Sequence, residues 1–480
     1  MNIRFVLYVL GALLFIEGGL MLLPVLVALI YGEHDLLPIA YSSVIAFAVG
    51  GAFWQFNKGC SKEIGKREGF MVVGTVWIVY AFFGSLPFIF SGYILSFTDA
   101  FFEAISGFTA TGATILTDIE ALPYGLLFWR AFMNFTGGIG ILVLSIAVLP
   151  IFGVGNMMIY KAESSTSFIS GKLSPRIKDT TKLIFRMYLI LTAICILLYL
   201  PDMNLFDAVC HAFSSIATSG TSTKNASMGA YSAYSQYVTI VFMILGSTSF
   251  FLFFYVWKRD FKSIIRNDEF RFFLILMLAA SAFIFVGLLF HGYPVGRAVR
   301  ESLFNVASVV STSGYTIHDY TQWMPPLWLI LFLLHFIGGC AGSTAGGLKV
   351  ARFLLLLRMI PVQFKKIIHQ NAVLYVKLNQ QNVPEERMFN TLAFFMIFLC
   401  VFTVGVFLLM VLGLNFTSAA GVSIGCLGNS GQGLDMVSPT GNYGDLSSAG
   451  KWVCAFLMLL GRLELYSILI LFSPSFWKKQ

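Results

Sequence analysis

The sequence predicts an all-α integral membrane protein, with four pseudo-symmetric helix–re-entrant pore loop–helix repeats preceded by two transmembrane helices. The chain of 480 residues is 58% hydrophobic and only 11% charged, which is too apolar for a soluble core and makes lipid its solvent. Its apolar runs allow about ten crossings at roughly 20 residues each. Four shorter stretches between these runs repeat around a single glycine, and they predict the re-entrant loops.

The apolar runs and the charges between them predict a topology. Basic residues cluster in every second gap, which is the pattern of cytoplasmic loops and places the N-terminus in the cytoplasm. The net charge of +8 therefore reflects topology, and nucleic acid is not a predicted partner. The predicted spans are 5–31, 37–57, 70–93, 124–150, 183–200, 232–257, 271–291, 323–358, 388–413 and 450–472.

We divide the chain into five units on this basis. The first holds the two N-terminal transmembrane helices, and each of the others holds one pore repeat. The third repeat also contains a helix that glycines interrupt. The units are residues 1–69, 70–160 (repeat 1), 161–266 (repeat 2), 267–380 (repeat 3) and 381–480 (repeat 4).

The repeat is anchored on one glycine in each copy, directly preceded by a small hydroxyl residue. The residue six positions before the glycine is also small in every copy. Chance explains agreement in one copy far better than agreement at several offsets in four. The anchors are Gly112, Gly220, Gly314 and Gly431, in the strings TATG, ATSG, STSG and GNSG.

A short helix is predicted before each anchor. Thirteen residues before the glycine stands an acid in three copies and a serine in the fourth, and such residues favour a helix N-terminus. We expect the helices to begin there, to end at the anchor, and to point their negative dipole ends at a cation. These starting positions are Asp99, Asp207, Glu301 and Ser418.

The glycine strings have the chemistry that a filter for a dehydrated monovalent cation requires. Such an ion needs a ring of oxygens in place of its water, and backbone carbonyls provide them where the chain turns them inward. Glycine permits that conformation. The alternative is that small residues merely allow helices to pack closely, but the fourfold repetition favours a filter.

With these motifs, the chain resembles the TrkH/KtrB/HKT superfamily of potassium transporters over essentially its whole length. The two helices before the first repeat favour the TrkH branch. The resemblance implies that backbone carbonyls of the four strings coordinate K+. The filter residues are Thr109, Ala110, Thr111, Gly112, Ala217, Thr218, Ser219, Gly220, Ser311, Thr312, Ser313, Gly314, Gly428, Asn429, Ser430 and Gly431.

Two further features lie on the predicted cytoplasmic side of the filter. A glycine-rich segment interrupts the run 323–358, and Arg462 lies inside the last span, where a charge normally faces a cavity or a partner. The resemblance implies an intramembrane gate loop and an electrostatic barrier, while a packing seam and a salt bridge remain alternatives. The gate residues are Gly338, Gly339, Gly342, Ser343, Thr344, Gly346, Gly347 and Arg462.

The resemblance also implies a function and partners. We expect K+ uptake across the bacterial inner membrane, with K+ as the transported ion, no covalently bound cofactor and no enzymatic activity. A homodimer regulated by a cytoplasmic, TrkA-like nucleotide-binding ring is implied, for which the basic loops 161–186 and 349–387 offer a surface. The alternatives are a Na+-coupled KtrB-like transporter, the membrane subunit of a K+-pumping ATPase complex and, less favoured, a secondary transporter of another small solute.

Overall fold

The computed structural model describes residues 2–60, 66–140, 177–372 and 374–478. Within these ranges the fold is helical apart from one small hairpin. The second half of the predicted span 124–150 and the first part of the basic loop 161–186 lie outside the described residues. The predicted all-α membrane fold is confirmed.

The N-terminal unit is a pair of antiparallel apolar helices. The first span consists of α1 (Ile3–Leu20) and α2 (Leu22–Tyr31), and the second is α3 (Leu36–Phe56). Glycines let the two backbones approach closely, since a Cβ on Gly11 would lie 2.5 Å from the backbone nitrogen of Trp54. Small residues at a helix crossing have this role in membranes.

Each repeat begins with a spanning helix and continues with a short helix that is too short to cross the bilayer. The spanning helices are α4 (Lys66–Gly84, extended by α5, Leu86–Phe90), α8 (Ile177–Tyr199), α13 (Asp268–Phe290) and α17 (Glu385–Val411). The short pore helices are α6 (Phe97–Phe108), α9 (Leu205–Ala217), α14 (Val295–Val310) and α18 (Phe416–Leu427).

The starts of the pore helices agree with the prediction in three copies. Asp99, Asp207 and Ser418 lie in the first turn of their helices. The prediction was wrong for Glu301, since α14 begins at Val295 and Glu301 instead pairs with Arg297 at 2.5 Å. The helices also end before the anchor glycines rather than at them, which leaves a short non-helical segment in every copy.

Within the described residues, the second helix of every repeat departs from a continuous α-helix, whereas the sequence predicts this only for the third. Helix α10 (Ala233–Ser247) bends by 98° into α11 (Phe250–Trp257), and α19 (Ser448–Arg462) bends by 111° into the segment Tyr466–Phe472, which begins with α20 (Tyr466–Leu469). The predicted runs 232–257 and 450–472 are therefore not single continuous helices. Hydropathy does not reveal these breaks because both sides of each break are apolar.

The second helices of repeats 1 and 3 depart from a regular α-helix in other ways. Helix α7 (Tyr124–Phe135) passes into a π-helical turn, Thr136–Gly140. Helix α15 (Pro325–Leu334) and helix α16 (Val350–Ile368) are separated by a long non-helical loop that contains the glycine-rich segment. A widened turn and a loop both leave backbone groups free to line a cavity.

A small hairpin follows α16 on the side predicted to be cytoplasmic. Strands β1 (Lys377–Leu378) and β2 (Gln381–Asn382) pair antiparallel. Their turn residues, Asn379 and Gln380, have positive φ angles of 49° and 64°, as a two-residue hairpin turn requires. Two short α-helices remain: α12 (Phe261–Ile265) lies between α11 and α13, and α21 (Pro474–Trp477) follows α20.

Candidate ion filter and gate

The four segments after the pore helices share one backbone conformation. Each anchor glycine has a positive φ angle, and so does the residue two positions before it. The glycines have φ of 76°, 72°, 77° and 68°, and Ala110, Thr218, Thr312 and Asn429 have φ of 50°, 54°, 56° and 53°. Left-handed residues other than glycine are uncommon, so their recurrence in all four copies indicates one shared structural role.

Hydrogen bonds hold this conformation in the same way in each copy. The N–H of the hydroxyl residue before the glycine donates back to the carbonyl of the small residue noted in the sequence. These bonds are Thr111 to Ser106 at 2.9 Å, Ser219 to Ser214 at 3.1 Å, Ser313 to Ser308 at 2.9 Å and Ser430 to Gly425 at 3.0 Å. Each segment is thereby tied to its own pore helix.

The four segments meet in a closed ring. A Cβ on Gly112 would overlap the carbonyl oxygen of Ser219, and the same relation joins each copy to the next and the fourth to the first. The other pairs are Gly220 with Ser313, Gly314 with Ser430, and Gly431 with Thr111. Glycine is therefore needed twice over, for its φ angle and for the space beside a neighbouring carbonyl.

The fourth segment, GNSG, is fixed by contacts that its sequence did not predict. The Asn429 amide donates to the Thr111 hydroxyl and to the Met458 carbonyl, both at 2.9 Å. The acid missing from the start of its pore helix comes from a loop, because Asp435 accepts from the Ser418 hydroxyl at 2.6 Å and from Asn415 at 2.9 Å. These hydrogen bonds lower the pKa of Asp435, first of all the one from Ser418.

The glycine-rich loop lies against the inner ends of the filter segments. The Thr344 hydroxyl donates to the Ile216 carbonyl at 2.9 Å, and the Gly346 N–H donates to the Thr312 hydroxyl at 2.7 Å. A Cβ on Gly346 would lie 2.5 Å from the Gly428 carbonyl oxygen. The loop thus contacts repeats 2, 3 and 4 directly.

Arg462 reaches the same loop from the end of α19. Its guanidinium donates to the Thr344 carbonyl and to the Gly138 carbonyl, both at 2.7 Å, and also to that of Gly137. Glu464 lies two residues further on and accepts from Arg352 at 2.6 Å. Arg462 therefore connects the glycine-rich loop to the π-helical turn in repeat 1.

Residues 38–479 match the family model TrkH, described as a cation transport protein. The chain belongs to the TrkH family. Its relatives include the Trk system potassium uptake protein TrkH of Salmonella typhimurium, 37% identical over 487 residues, with both chains fully covered. Another is TrkG of Escherichia coli K12, 34% identical with 99% of each chain covered. Relatives of this kind are transporters, so this TrkH family member is a multi-pass transport protein and not an enzyme.

A solved structure shows the same fold. The crystal structure of the potassium transporter TrkH from Vibrio parahaemolyticus superimposes with a TM-score of 0.90, at 35% identity and with both chains fully covered. At this identity and coverage the likeness extends to the whole helical architecture, including the two N-terminal helices.

Around the ring, this TrkH family chain has polar braces that the sequence did not reveal. Glu103 pairs with Arg130 at 2.7 Å and accepts from Thr114 at 3.0 Å. At the corresponding position of repeat 2, a His211 ring nitrogen bonds Ser222 at 2.9 Å. Both residues stand nine positions before their anchor glycine and hold the residue two positions after it, so a comparison of the repeats at that offset could have found them.

The ring opens into a polar vestibule on the side predicted to face outward. This cavity has a volume of about 140 Å³, and all four anchor glycines line it. Arg130 and Lys224 also reach it. The arrangement places a polar cavity on one side of the ring and the glycine-rich loop on the other.

Proposed function

We propose that this protein conducts K+ into the cell across the bacterial inner membrane, through the ring formed by residues 109–112, 217–220, 311–314 and 428–431. The observation that carries the proposal is the closure of that ring, in which each glycine faces the carbonyl of the next copy. Relatives that cover the whole chain are named as potassium uptake proteins. Both support K+ as the transported ion.

The proposed mechanism uses backbone carbonyls rather than side-chain charge. K+ sheds water at the ring because carbonyl oxygens replace its hydration shell. The pore helices direct the negative ends of their dipoles toward the ring and favour a cation there. The membrane potential contributes about 2.3 kcal/mol per charge per 100 mV and drives inward movement. The strings vary between copies, so we expect selectivity below that of channels with four identical filters.

The gate is proposed to be the loop 338–347 together with Arg462. The loop occupies the inner side of the filter and is tied there by Thr344 and Gly346. Arg462 adds a positive charge at the same place, which repels a cation leaving the filter. Ions pass when the loop moves away and its hydrogen bond with Arg462 breaks.

The proposed assembly is a homodimer bound to a cytoplasmic, TrkA-like nucleotide-binding ring. Basic residues on the predicted cytoplasmic side support a contact with such a partner. In the described part of the loop 349–387, Lys365 and Lys366 lie in the last turn of α16. The other basic loop, 161–186, falls mostly outside the described residues.

Flux into liposomes tests the function directly. The purified protein is reconstituted, and uptake of K+, Rb+, Na+ and Li+ is measured with and without the cytoplasmic ring and its nucleotides. We expect K+ and Rb+ to enter well ahead of Na+ and Li+. Equal entry of all four ions would contradict the filter assignment.

The same assay separates the two rival functions. A Na+-coupled transporter takes up K+ faster when a Na+ gradient is imposed at constant membrane potential. The membrane subunit of a pump moves no K+ down a gradient unless its ATPase partner is present. Passive K+ uptake that is independent of a Na+ gradient supports the proposed function over both.

A further inference from the structure

Glu269 is a buried acid that contacts both the gate loop and the helix that follows it. It lies in the first turn of α13 and is 3% exposed. One carboxylate oxygen, Oε1, accepts from the N–H of Ala341 at 2.6 Å and from the N–H of Ala351 at 3.2 Å. Ala341 belongs to the glycine-rich loop, and Ala351 belongs to the first turn of α16. A single atom therefore bridges the loop and the helix that follows it.

This contact is favourable for the loop in the conformation seen here. The first N–H groups of a helix lack partners within the helix, and the positive end of its dipole favours an anion. Hydrogen bonds that involve an ionised acceptor are roughly twice as strong as neutral ones. Lys349 adds a bond from its ammonium to the Ala345 carbonyl. The bond from Ala341 to Glu269 and the bond from Lys349 to Ala345 must both break before the loop can straighten or withdraw.

The residue before Glu269 faces the cytoplasmic hairpin. Asp268 pairs with Arg358 of α16 at 2.7 Å and accepts from the Asn379 N–H at 2.8 Å. The Asp268 N–H in turn donates to the Asn379 side chain at 2.8 Å. The first turn of α13 thus holds the hairpin with one acid and the gate loop with the next.

We propose that Glu269 is a positioning residue that holds the gate loop closed, and that the first turn of α13 transmits movement of the hairpin to the loop. The proposal rests on the gate function proposed above. Displacement of Asn379 pulls on Asp268, which shifts the adjacent Glu269 away from Ala341 and Ala351. The loop then loses its acceptor without any change in the filter.

The test compares Glu269→Gln with the wild type and with Glu386→Gln. The glutamine keeps the shape of the side chain, but its neutral amide is a weaker hydrogen-bond acceptor than a carboxylate. Glu386 is an exposed acid in the first turn of another spanning helix, α17, and it provides the matched control. Two quantities are measured: hydrogen exchange of peptides that cover 338–351, and K+ flux into liposomes without the cytoplasmic ring.

We expect faster exchange across the loop in Glu269→Gln and about tenfold more flux, the change in closed-to-open ratio that corresponds to about 1.4 kcal/mol. The ratio of K+ to Na+ flux stays at the wild-type value, which a general loosening of the protein would not preserve. Glu386→Gln changes neither quantity. Unchanged exchange of 338–351 in Glu269→Gln overturns the proposal.

Two outcomes distinguish this proposal from the function it rests on. Faster loop exchange without increased flux supports Glu269 as the residue that holds the loop and contradicts the loop as the gate. Asp268→Asn tests the link to the hairpin. Faster exchange in both the hairpin and 338–351 supports transmission, whereas a change confined to the hairpin overturns it. If Glu269→Gln does not fold, Glu269→Asp takes its place in the test. It keeps the carboxyl group, and its shorter reach should still speed exchange of 338–351 relative to the wild type.

Discussion

At the residue scale, Gly112 shows why the filter depends on glycine. Its φ angle of 76° lies in the left-handed region, and a Cβ at this position would overlap the Ser219 carbonyl oxygen. Either requirement alone disfavours other residues, but only the second involves an atom of the ring. A substitution here therefore acts on the ring itself as well as on local backbone strain.

Gly112→Ser is expected to lower the preference for K+ over Na+, because the side chain displaces a carbonyl that replaces the water of the ion. The measurement is the ratio of K+ to Na+ flux in liposomes. Gly92→Ser is the matched control, since Gly92 has almost the same φ angle of 77° and no neighbouring atom within 4 Å. A K+ preference that survives in Gly112→Ser would refute the role of the ring in selectivity.

Asp435 is a residue whose role depends entirely on tertiary contact. It accepts from Ser418 and Asn415 at the start of α18 and takes the place of the acid that repeats 1 and 2 carry in the pore helix itself. Its pKa is lowered from 3.8 by these hydrogen bonds. A group with a depressed pKa stabilises the fold above its unfolded pKa, and this contribution is lost as the pH falls through the folded value.

Asp435→Asn is expected to lower the thermal unfolding midpoint at pH 7, because the start of α18 loses an ionised acceptor. The effect should be of the size of one hydrogen bond, about 1 kcal/mol. The difference from wild type should shrink as the pH falls below 3.8, the ordinary pKa of the group, toward the lower pKa of the native Asp435. Asp445→Asn, an equivalent change at another exposed loop acid, is the control. An equal drop of the unfolding midpoint in both variants would count against a role of Asp435 at the start of α18.

At the scale of elements, the four pore helices were predictable and the broken second helices were not. The filter glycines follow a local rule that repeats four times, so the sequence displays it directly. The breaks at Thr248 and Leu463 lie between apolar segments, and a hydropathy window averages across them. The left-handed residue two positions before each glycine is alanine, threonine or asparagine, so no shared residue type marks it.

Contacts distant in sequence were also beyond prediction. Glu269 is 72 positions from Ala341, and nothing in its local sequence distinguishes it from an acid at the cytoplasmic end of a helix. Glu301 shows the converse error, because an acid at the repeated offset predicts a helix start, whereas α14 begins more than a full turn before it. Comparison of the repeats at fixed offsets identifies features that each copy forms locally. It does not identify residues that the fold brings together from distant parts of the chain.

Removal of the gate loop tests the element as a whole. Deletion of 341–346 is expected to raise K+ flux, because it takes away the segment that contacts Ile216, Thr312 and Gly428 on the inner side of the filter. The measurement is liposome flux at matched protein content. The filter segments remain intact, so the order of ion preference should not change. Lower flux from a variant that remains folded and monodisperse would argue against the loop as a gate.

At the scale of the whole molecule, the ring joins segments from every part of the chain. Residues 112 and 431 are neighbours in it although about two thirds of the chain separates them. An ion bound in the proposed filter would contact all four repeats at once and would have no equivalent site in the unfolded chain. Binding to the native state alone stabilises it by an amount that grows with ion concentration, about 2.7 kcal/mol at 100 times the dissociation constant.

K+ is therefore expected to raise the thermal unfolding midpoint of the detergent-solubilised protein above that in Na+ or Li+ at equal ionic strength. Rb+ should act like K+ because its size is close to that of K+. In Gly112→Ser the advantage of K+ should disappear, whereas Gly92→Ser should keep it. A midpoint that depends on ionic strength but not on the identity of the cation would mean that the ring binds no ion selectively, even if flux is observed. Together, the ion series and the paired glycine variants separate binding at the filter from general effects of salt on the fold.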